Sequence, residues 1–236
     1  MSSEKTTPLD PQTSNLSLIF TLSGVAMMAG LLVALVYQLT LPTILENRRL
    51  AIERAIFNVI PNAVSWSGFL ISAGGIRGDT DAGTEETRLY AGYDDTGEFV
   101  GVAMEAAAQG YQDIIRILYG YSPGCECITG INVVESKETP GLGDKIYKDA
   151  EFLRNFDALD GRLSADQSRL VNEIVTVKHG SKNHPWEIDA ISGATVSSKA
   201  IGKMLNQSAQ RMFPLVTTHL DTLTIKQDQE KSDHGS

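Results

Sequence analysis

Residues 88–104 read Arg-Leu-Tyr-Ala-Gly-Tyr-Asp-Asp-Thr-Gly-Glu-Phe-Val-Gly-Val-Ala-Met. Two apolar runs, Arg88–Tyr93 and Phe99–Met104, flank the turn-forming residues Asp94-Asp95-Thr96-Gly97. That arrangement predicts an antiparallel hairpin. Further strands are expected at Asp113–Tyr119, which contains IIRILY, at Gly130–Glu135, which contains INVV, and at Glu173–Lys178. Residues 74–87, GGIRGDTDAGTEET, have loop composition. Helical spacing runs from Ile146 to Phe156, and a longer helix extends from about Ala194 to Met212, stopped by Pro214. Hairpin-like strands followed by helices point to an α+β fold whose mostly antiparallel sheet is flanked by helices, rather than to a doubly wound one.

Ahead of this domain, the chain carries no charge between Pro11 and Leu45. Leu16–Leu41, LSLIFTLSGVAMMAGLLVALVYQLTL, exceeds the ~20 apolar residues that cross a bilayer as a helix. The preceding segment is nearly neutral and Val36-Tyr37-Gln38 makes a poor cleavage site, so a permanent single-pass anchor is expected. Lys5 on one flank against Arg48, Arg49 and Arg54 on the other gives a small bias toward a cytoplasmic C-terminal part. Ile44, Leu45, Ile52, Ile56 and Val59 then recur at helical spacing up to Pro61, either as a juxtamembrane stalk or as a docking helix of the soluble domain. The expected partition is a polar tail at 1–15, a transmembrane helix at 16–41, a juxtamembrane helix at 42–61, one domain at 62–225 and a disordered tail at 226–236.

Composition excludes several classes. A chain of 236 residues with 42% hydrophobic and 21% charged residues is globular rather than disordered. A net charge of −9 with no Lys/Arg run leaves no footprint for a nucleic-acid backbone. Cys125 and Cys127 are the only cysteines, too few for a disulfide framework or a four-cysteine cluster. His179, His184, His219 and His234 lack ligand spacing, so no metal site is expected.

Chemistry concentrates at Asp189-Ala190-Ile191-Ser192-Gly193-Ala194-Thr195-Val196-Ser197-Ser198, directly before the long helix. Small residues at 192–194 let a bulky group approach the backbone, and a helix N-terminus offers unpaired N–H groups and partial positive charge to an anion. Thr195 places a hydroxyl at that position. On helix physics alone the favoured reading is that Ser192 or Thr195 is the helix N-cap, a role that Ser and Thr commonly fill.

DAISGAT resembles the flavinylation motif of FMN-binding domains, Asp-x-x-Ser/Thr-Gly-Ala-Thr/Ser. A second segment, Glu135–Ile146 (ESKETPGLGDKI), resembles the signature loop of the G subunit of the Rnf electron-transport complex. A similar loop occurs in the C subunit of the sodium-translocating NADH:quinone reductase. With Gly110-Tyr111 and the anchor, the resemblance spans about residues 16–212. It implies an FMN cofactor held covalently by a phosphoester to Thr195. Asp189, Ser192, Gly193 and Ala194 would form the recognition segment for a flavin transferase and the phosphate cradle. Thr139 and Leu142, in the turn made with Gly141, would lie against the isoalloxazine, and Glu138 would support that loop or sit near the ring. Gly141 and Gly143 also read simply as turn glycines. No catalytic residue is implied, because redox chemistry belongs to the cofactor.

The resemblance further implies a membrane-anchored electron carrier of an Rnf-type ion-translocating ferredoxin:NAD oxidoreductase, partnered by the other subunits. Its domain would face the periplasm or exterior of the inner membrane, against the charge bias. The alternatives are the equivalent C subunit of the quinone reductase and a structural anchor with Thr195 unmodified. Cys125 and Cys127, one residue apart, close a small ring poorly, so free thiols or a structural pair are expected there rather than a disulfide, with a half-site shared with a partner as the sharper reading.

Overall fold

The structure, a computed structural model, describes residues 15–72, 75–78 and 87–224. Residues 1–14 of the polar tail, most of the Gly/Asp/Thr-rich loop and the C-terminal tail from Lys226 lie outside the described residues. The chain divides into two units, 1–49 and 50–236.

Helix α1, Asn15–Val59, begins in the first unit and contains Pro42. Among the described residues it is the one helix long and apolar enough to cross a membrane. Every side chain from Leu16 to Thr40 is exposed. The Thr21 and Thr40 hydroxyls donate one turn back, to the Ser17 carbonyl at 2.6 Å and the Val36 carbonyl at 2.9 Å, so neither is left unpaired on an apolar surface.

The second unit is built on strands β1 (Ser65–Ser72), β2 (Gly75–Gly78), β3 (Thr87–Tyr93), β4 (Phe99–Gln109), β5 (Ile114–Ser122), β6 (Cys127–Glu135) and β7 (Leu159–Asp160). They form one antiparallel sheet in the order β2-β1-β3-β4-β5-β6-β7. The β3–β4 hairpin is the expected one. The Asp94 carboxylate closes it, accepting from the Thr96 N–H at 2.9 Å, the Thr96 hydroxyl at 2.7 Å and the Glu98 N–H at 2.9 Å.

Because side chains alternate across a pleated strand, each face collects its own partners. Tyr90, Ala103 and Leu118 meet Ala55, Ile56, Val59 and Ile60 at the end of α1. Thr129 fixes that contact through its hydroxyl, 2.6 Å from the Val59 carbonyl. Leu89, Met104, Ile117 and Tyr119 on the other face meet helix α3 (Thr195–Thr218), which buries Ile201, Leu205, Ala209, Met212, Phe213 and Val216. That spacing makes one continuous apolar stripe along the helix. Strands β8 (Val175–Val177) and β9 (Glu187–Asp189) pair in parallel as a separate two-stranded sheet.

Several expectations need correction. Ser65–Ser72 is a full strand with no counterpart in the sequence reading, and Glu173–Lys178 supplies a strand outside the main sheet. The expected helix at 146–156 is split into 3-10 turns at 143–147 and 154–156 around α2 (Ala150–Leu153), which Asp149 caps by accepting from the Glu151 N–H at 2.9 Å. Pro214 does not stop α3, which continues to Thr218. An interior proline costs ~3 kcal/mol, whereas burying Phe213 and Val216 returns ~1.5–3 kcal/mol each. Phe213 stacks on Tyr121 with ring centres 3.7 Å apart, so packing wins. Cys125 and Cys127 are joined by a disulfide. Glu126 between them takes φ +50°, and this left-handed residue curls the β5–β6 turn until the two Cα atoms stand 5.2 Å apart, within bridging range.

Candidate functional site

Two turns of the same design build the site. In Thr139-Pro140-Gly141-Leu142, the Leu142 N–H donates to the Thr139 carbonyl at 3.2 Å, and Gly141 takes φ +80°. A type II turn requires the left-handed glycine at its third position and favours proline at its second. In Ile191-Ser192-Gly193-Ala194, the Ala194 N–H donates to the Ile191 carbonyl at 3.1 Å, and Gly193 takes φ +84°. The turns face each other: a Cβ placed on Gly193 would stand 4.0 Å from Leu142 Cδ2.

Helix α3 starts directly after the second turn. Ala194 is its cap residue and supplies no side-chain bond, so neither Ser192 nor Thr195 caps the helix. Thr195 is instead the first helical residue, exposed, followed by Val196 and Ser197; their N–H groups have no partner within the helix. Ser198 ties the turn to the helix, accepting from the Ile191 N–H at 3.1 Å and donating to the Ala194 carbonyl at 2.9 Å.

Glu138 joins the two motifs. Only 6% exposed, it accepts from the Ser197 hydroxyl and from the Gln112 N–H at 3.0 Å. Gly143 is required beside it, since a Cβ there would come within 2.6 Å of the carboxylate. Farther along the loop, the Lys148 ammonium lies 2.6 Å from Asp144 and holds that carboxyl below the usual carboxylate range.

These pieces enclose a cavity of ≈ 360 Å³ lined by Glu138, Thr139, Leu142, Gly193, Ala194 and Thr195, and also by Tyr111, Gly143, Val196 and Ser197. The structure therefore brings six of the nine expected site residues together. Gly141 shapes its turn from outside the lining. Asp189 and Ser192 line a neighbouring cavity of ≈ 460 Å³, with Asn155, His179 and Lys182. There Asp189 accepts from the Gly180 N–H at 2.7 Å, with the His179 ring 3.6 Å from its other oxygen. Tyr111, Gly143, Val196 and Ser197 line the cavity but are not among the nine expected site residues. Each adjoins a glycine or a motif residue, and only their convergence marks them.

The residues present fit FMN. The volume lies in the ~300–1,000 Å³ range of small-molecule clefts. The first turn of a 24-residue helix with no acidic residue in it suits a phosphate. Tyr111, Leu142 and Val196, 72%, 52% and 53% exposed, offer apolar surface around the opening for a planar ring.

Comparison with known proteins agrees with this reading. Residues 110–210 match the FMN-binding domain family. The chain is 31% identical over 193 residues to the G subunit of the ion-translocating oxidoreductase complex of Methanosarcina acetivorans, covering 80% of this chain and 90% of that one. It is 36% identical over 115 residues to the G subunit of the Na(+)-translocating ferredoxin:NAD(+) oxidoreductase complex of Acetobacterium woodii, covering 48% and 50%. Its fold is that of the crystal structure of Shewanella oneidensis NqrC, with a TM-score of 0.58 at 17% identity over 75% of this chain and 98% of that one. The C subunit of the Na(+)-translocating NADH-quinone reductase of Parabacteroides distasonis superposes with a TM-score of 0.54 at 21% identity, over 78% and 97%. With both motif turns assembled around one cavity, this chain belongs to the G-subunit family of ion-translocating oxidoreductase complexes, built on an FMN-binding domain.

Proposed function

We propose that the chain is the membrane-anchored flavin carrier of an Rnf-type ion-translocating oxidoreductase complex, with FMN held through a phosphoester to Thr195. One observation carries the attachment site: of the hydroxyl-bearing residues in the first turn of α3, Thr195 alone is exposed. Ser197 and Ser198, 1% and 0% exposed, have their hydroxyls engaged with Glu138 and the Ala194 carbonyl. Ser192, also exposed, lines the neighbouring cavity.

Attachment requires a flavin transferase as partner. The Thr195 Oγ–phosphorus bond forms, the phosphorus–oxygen bond to the AMP half of FAD breaks, and the hydroxyl proton leaves with the transferase's base. The resulting phosphodiester keeps one negative charge, which the N-terminus of α3 stabilises by about 0.3–2 kcal/mol. Bound FMN supplies the electron-carrying chemistry. The protein contributes the cradle at 193–197, the apolar surface of Leu142 and Val196 and the Glu138 carboxylate. Other subunits of the complex would deliver and collect the electrons, and the helix 16–41 would anchor the chain in the inner membrane. An extracytoplasmic domain is supported by the Cys125–Cys127 disulfide, since disulfides persist in oxidising compartments.

Peptide mass spectrometry after co-expression with a flavin transferase tests the attachment. Thr195→Val keeps shape and branching but deletes the nucleophile, so the FMN-phosphoryl adduct should vanish while the fold survives. An adduct persisting at Ser192, Ser197 or Ser198 would assign another hydroxyl. A natural chain that takes no adduct would leave the structural-anchor reading.

A further inference from the structure

We infer that Asn155, which lies outside both motifs, is a positioning residue for flavin attachment at Thr195. The inference rests on the covalent reading above. Asn155 is 7% exposed, and both ends of its carboxamide are engaged. Its Oδ1 accepts from the Asp189 N–H at 3.0 Å and from the Lys182 ammonium at 3.1 Å. Its Nδ2 donates to the Phe152 carbonyl at 2.9 Å and the Asp189 carbonyl at 3.4 Å. The orientation of the amide follows from these partners, because a flipped side chain would face two donors with N–H and two acceptors with oxygen. One side chain thus pairs with both backbone groups of Asp189, as a neighbouring strand would.

On its other side β9 pairs with β8, placing Asp189 opposite Val177, and the next N–H, that of Ala190, donates to the Val177 carbonyl at 3.1 Å. Two residues after Asp189, the Ser198 hydroxyl holds the Ile191 N–H at 3.1 Å. The exposed Ser192-Gly193 turn is bounded by Ile191 and Ala194, and Asp189, two residues upstream of it, is where Asn155 holds the strand that leads into the turn and on to Thr195. Releasing Asp189 loosens the first residue of the motif, which the covalent reading gives to recognition by the transferase, and the strand entering the turn, without touching the ≈ 360 Å³ cavity, whose lining does not include Asn155. Asn155 instead lines the ≈ 460 Å³ cavity with Asp189 and Ser192. Transfer to phosphorus needs Thr195 Oγ in line with the bond being broken, and a displacement of ~1 Å at the reacting atom costs up to ~100-fold in rate.

The experiment measures initial rates of covalent flavin incorporation into the purified full-length chain, with transferase, FAD and Mg²⁺, as a function of acceptor concentration. Asn155→Asp keeps the size and the acceptor for the Asp189 N–H but loses both donated bonds. We expect kcat/KM for the chain as acceptor to fall about 10- to 100-fold in the folded variant, and the thermal midpoint to fall as well, because an Asp oxygen would face the Phe152 and Asp189 carbonyls. The adduct that does form should have the natural absorption spectrum and reduction potential, a separation that a general loosening of the domain would not produce. Lys182→Met, which removes only the ammonium, should attach flavin at the natural rate. If Asn155→Asp does not fold, Asn155→Ser, which leaves room for water at the freed groups, is measured in its place. A natural rate in the folded variant, or an altered flavin potential, overturns the proposal. A natural chain that takes no flavin at all overturns the covalent reading with it.

Discussion

The Ser197 hydroxyl donates to the Glu138 carboxylate, and this single bond closes a sequence separation of 59 residues between the two motifs. Glu138 also accepts from the Gln112 N–H, so it ties the β4–β5 turn, the Pro-Gly turn and the start of α3 to one buried side chain.

Glu138→Ala leaves the Ser197 hydroxyl and the Gln112 N–H without an acceptor. Stability should fall by about 1–3 kcal/mol, measured by urea denaturation. A loss indistinguishable from that of an exposed substitution would mean that water replaces the carboxylate at no cost.

Gly120→Ala tests the docking of the last turns of α1 on the sheet. A Cβ at Gly120 would run into the Val59 carbonyl, a backbone group that cannot swing aside. A loss of about 1–3 kcal/mol or more is expected, and the exposed Gly124→Ala should stay within about 0.5 kcal/mol. Equal behaviour of the two variants would contradict the packing of Val59 on β5.

Burial pushes the Tyr121 hydroxyl up to about 12 from its ordinary 10.0. Its folded pKa is raised, so its contribution to stability is whole below pH 10.0 and is lost as pH rises toward about 12. Tyr121→Phe should flatten that alkaline limb. The Asp166 carboxyl moves oppositely, down to about 2 from 3.8, because the Ser164 and Ser168 hydroxyls donate to it. Its contribution is present above 3.8 and disappears as pH falls toward about 2. Asp166→Asn should make the acid limb shallower in the same denaturation series.

Replacing Cys125 and Cys127 together with Ser removes a very short cross-link. The loop-entropy expression gives a loss of about 1.5 kcal/mol. Flavin content should stay at the natural level, because the bridge lies at the start of β6 and the Glu138 loop follows its end. Flavin retained with electron transfer abolished would instead give the cysteines a redox role.

A reporter fused after Ser236 should be active only outside the cytoplasm. Activity inside would restore the orientation that Arg48, Arg49 and Arg54 favour over Lys5.

Much was legible in the residues themselves, where near neighbours decide the outcome. Asp94-Asp95-Thr96-Gly97 carries its own turn chemistry, so the β3–β4 hairpin could be read directly. The uncharged run from Leu16 to Leu41 announces an apolar helix, and Pro140-Gly141 specifies its turn through backbone preferences that need no distant partner. The position of Thr195 at the start of a helix follows from the same local signals.

Tertiary structure decided what depends on partners far away in the chain. Ser65–Ser72 is a strand because β2 and β3 flank it, and α3 passes through Pro214 because Tyr121 and the sheet hold Phe213 beside it. The disulfide exists because Glu126 adopts a left-handed conformation that its residue type does not favour. The DAISGAT motif, continuous in sequence, is divided between two cavities, with Asp189 and Ser192 in one and Gly193, Ala194 and Thr195 in the other. Turn chemistry acts over three or four residues, whereas burial and side-chain pairing act between segments that only the folded chain brings together.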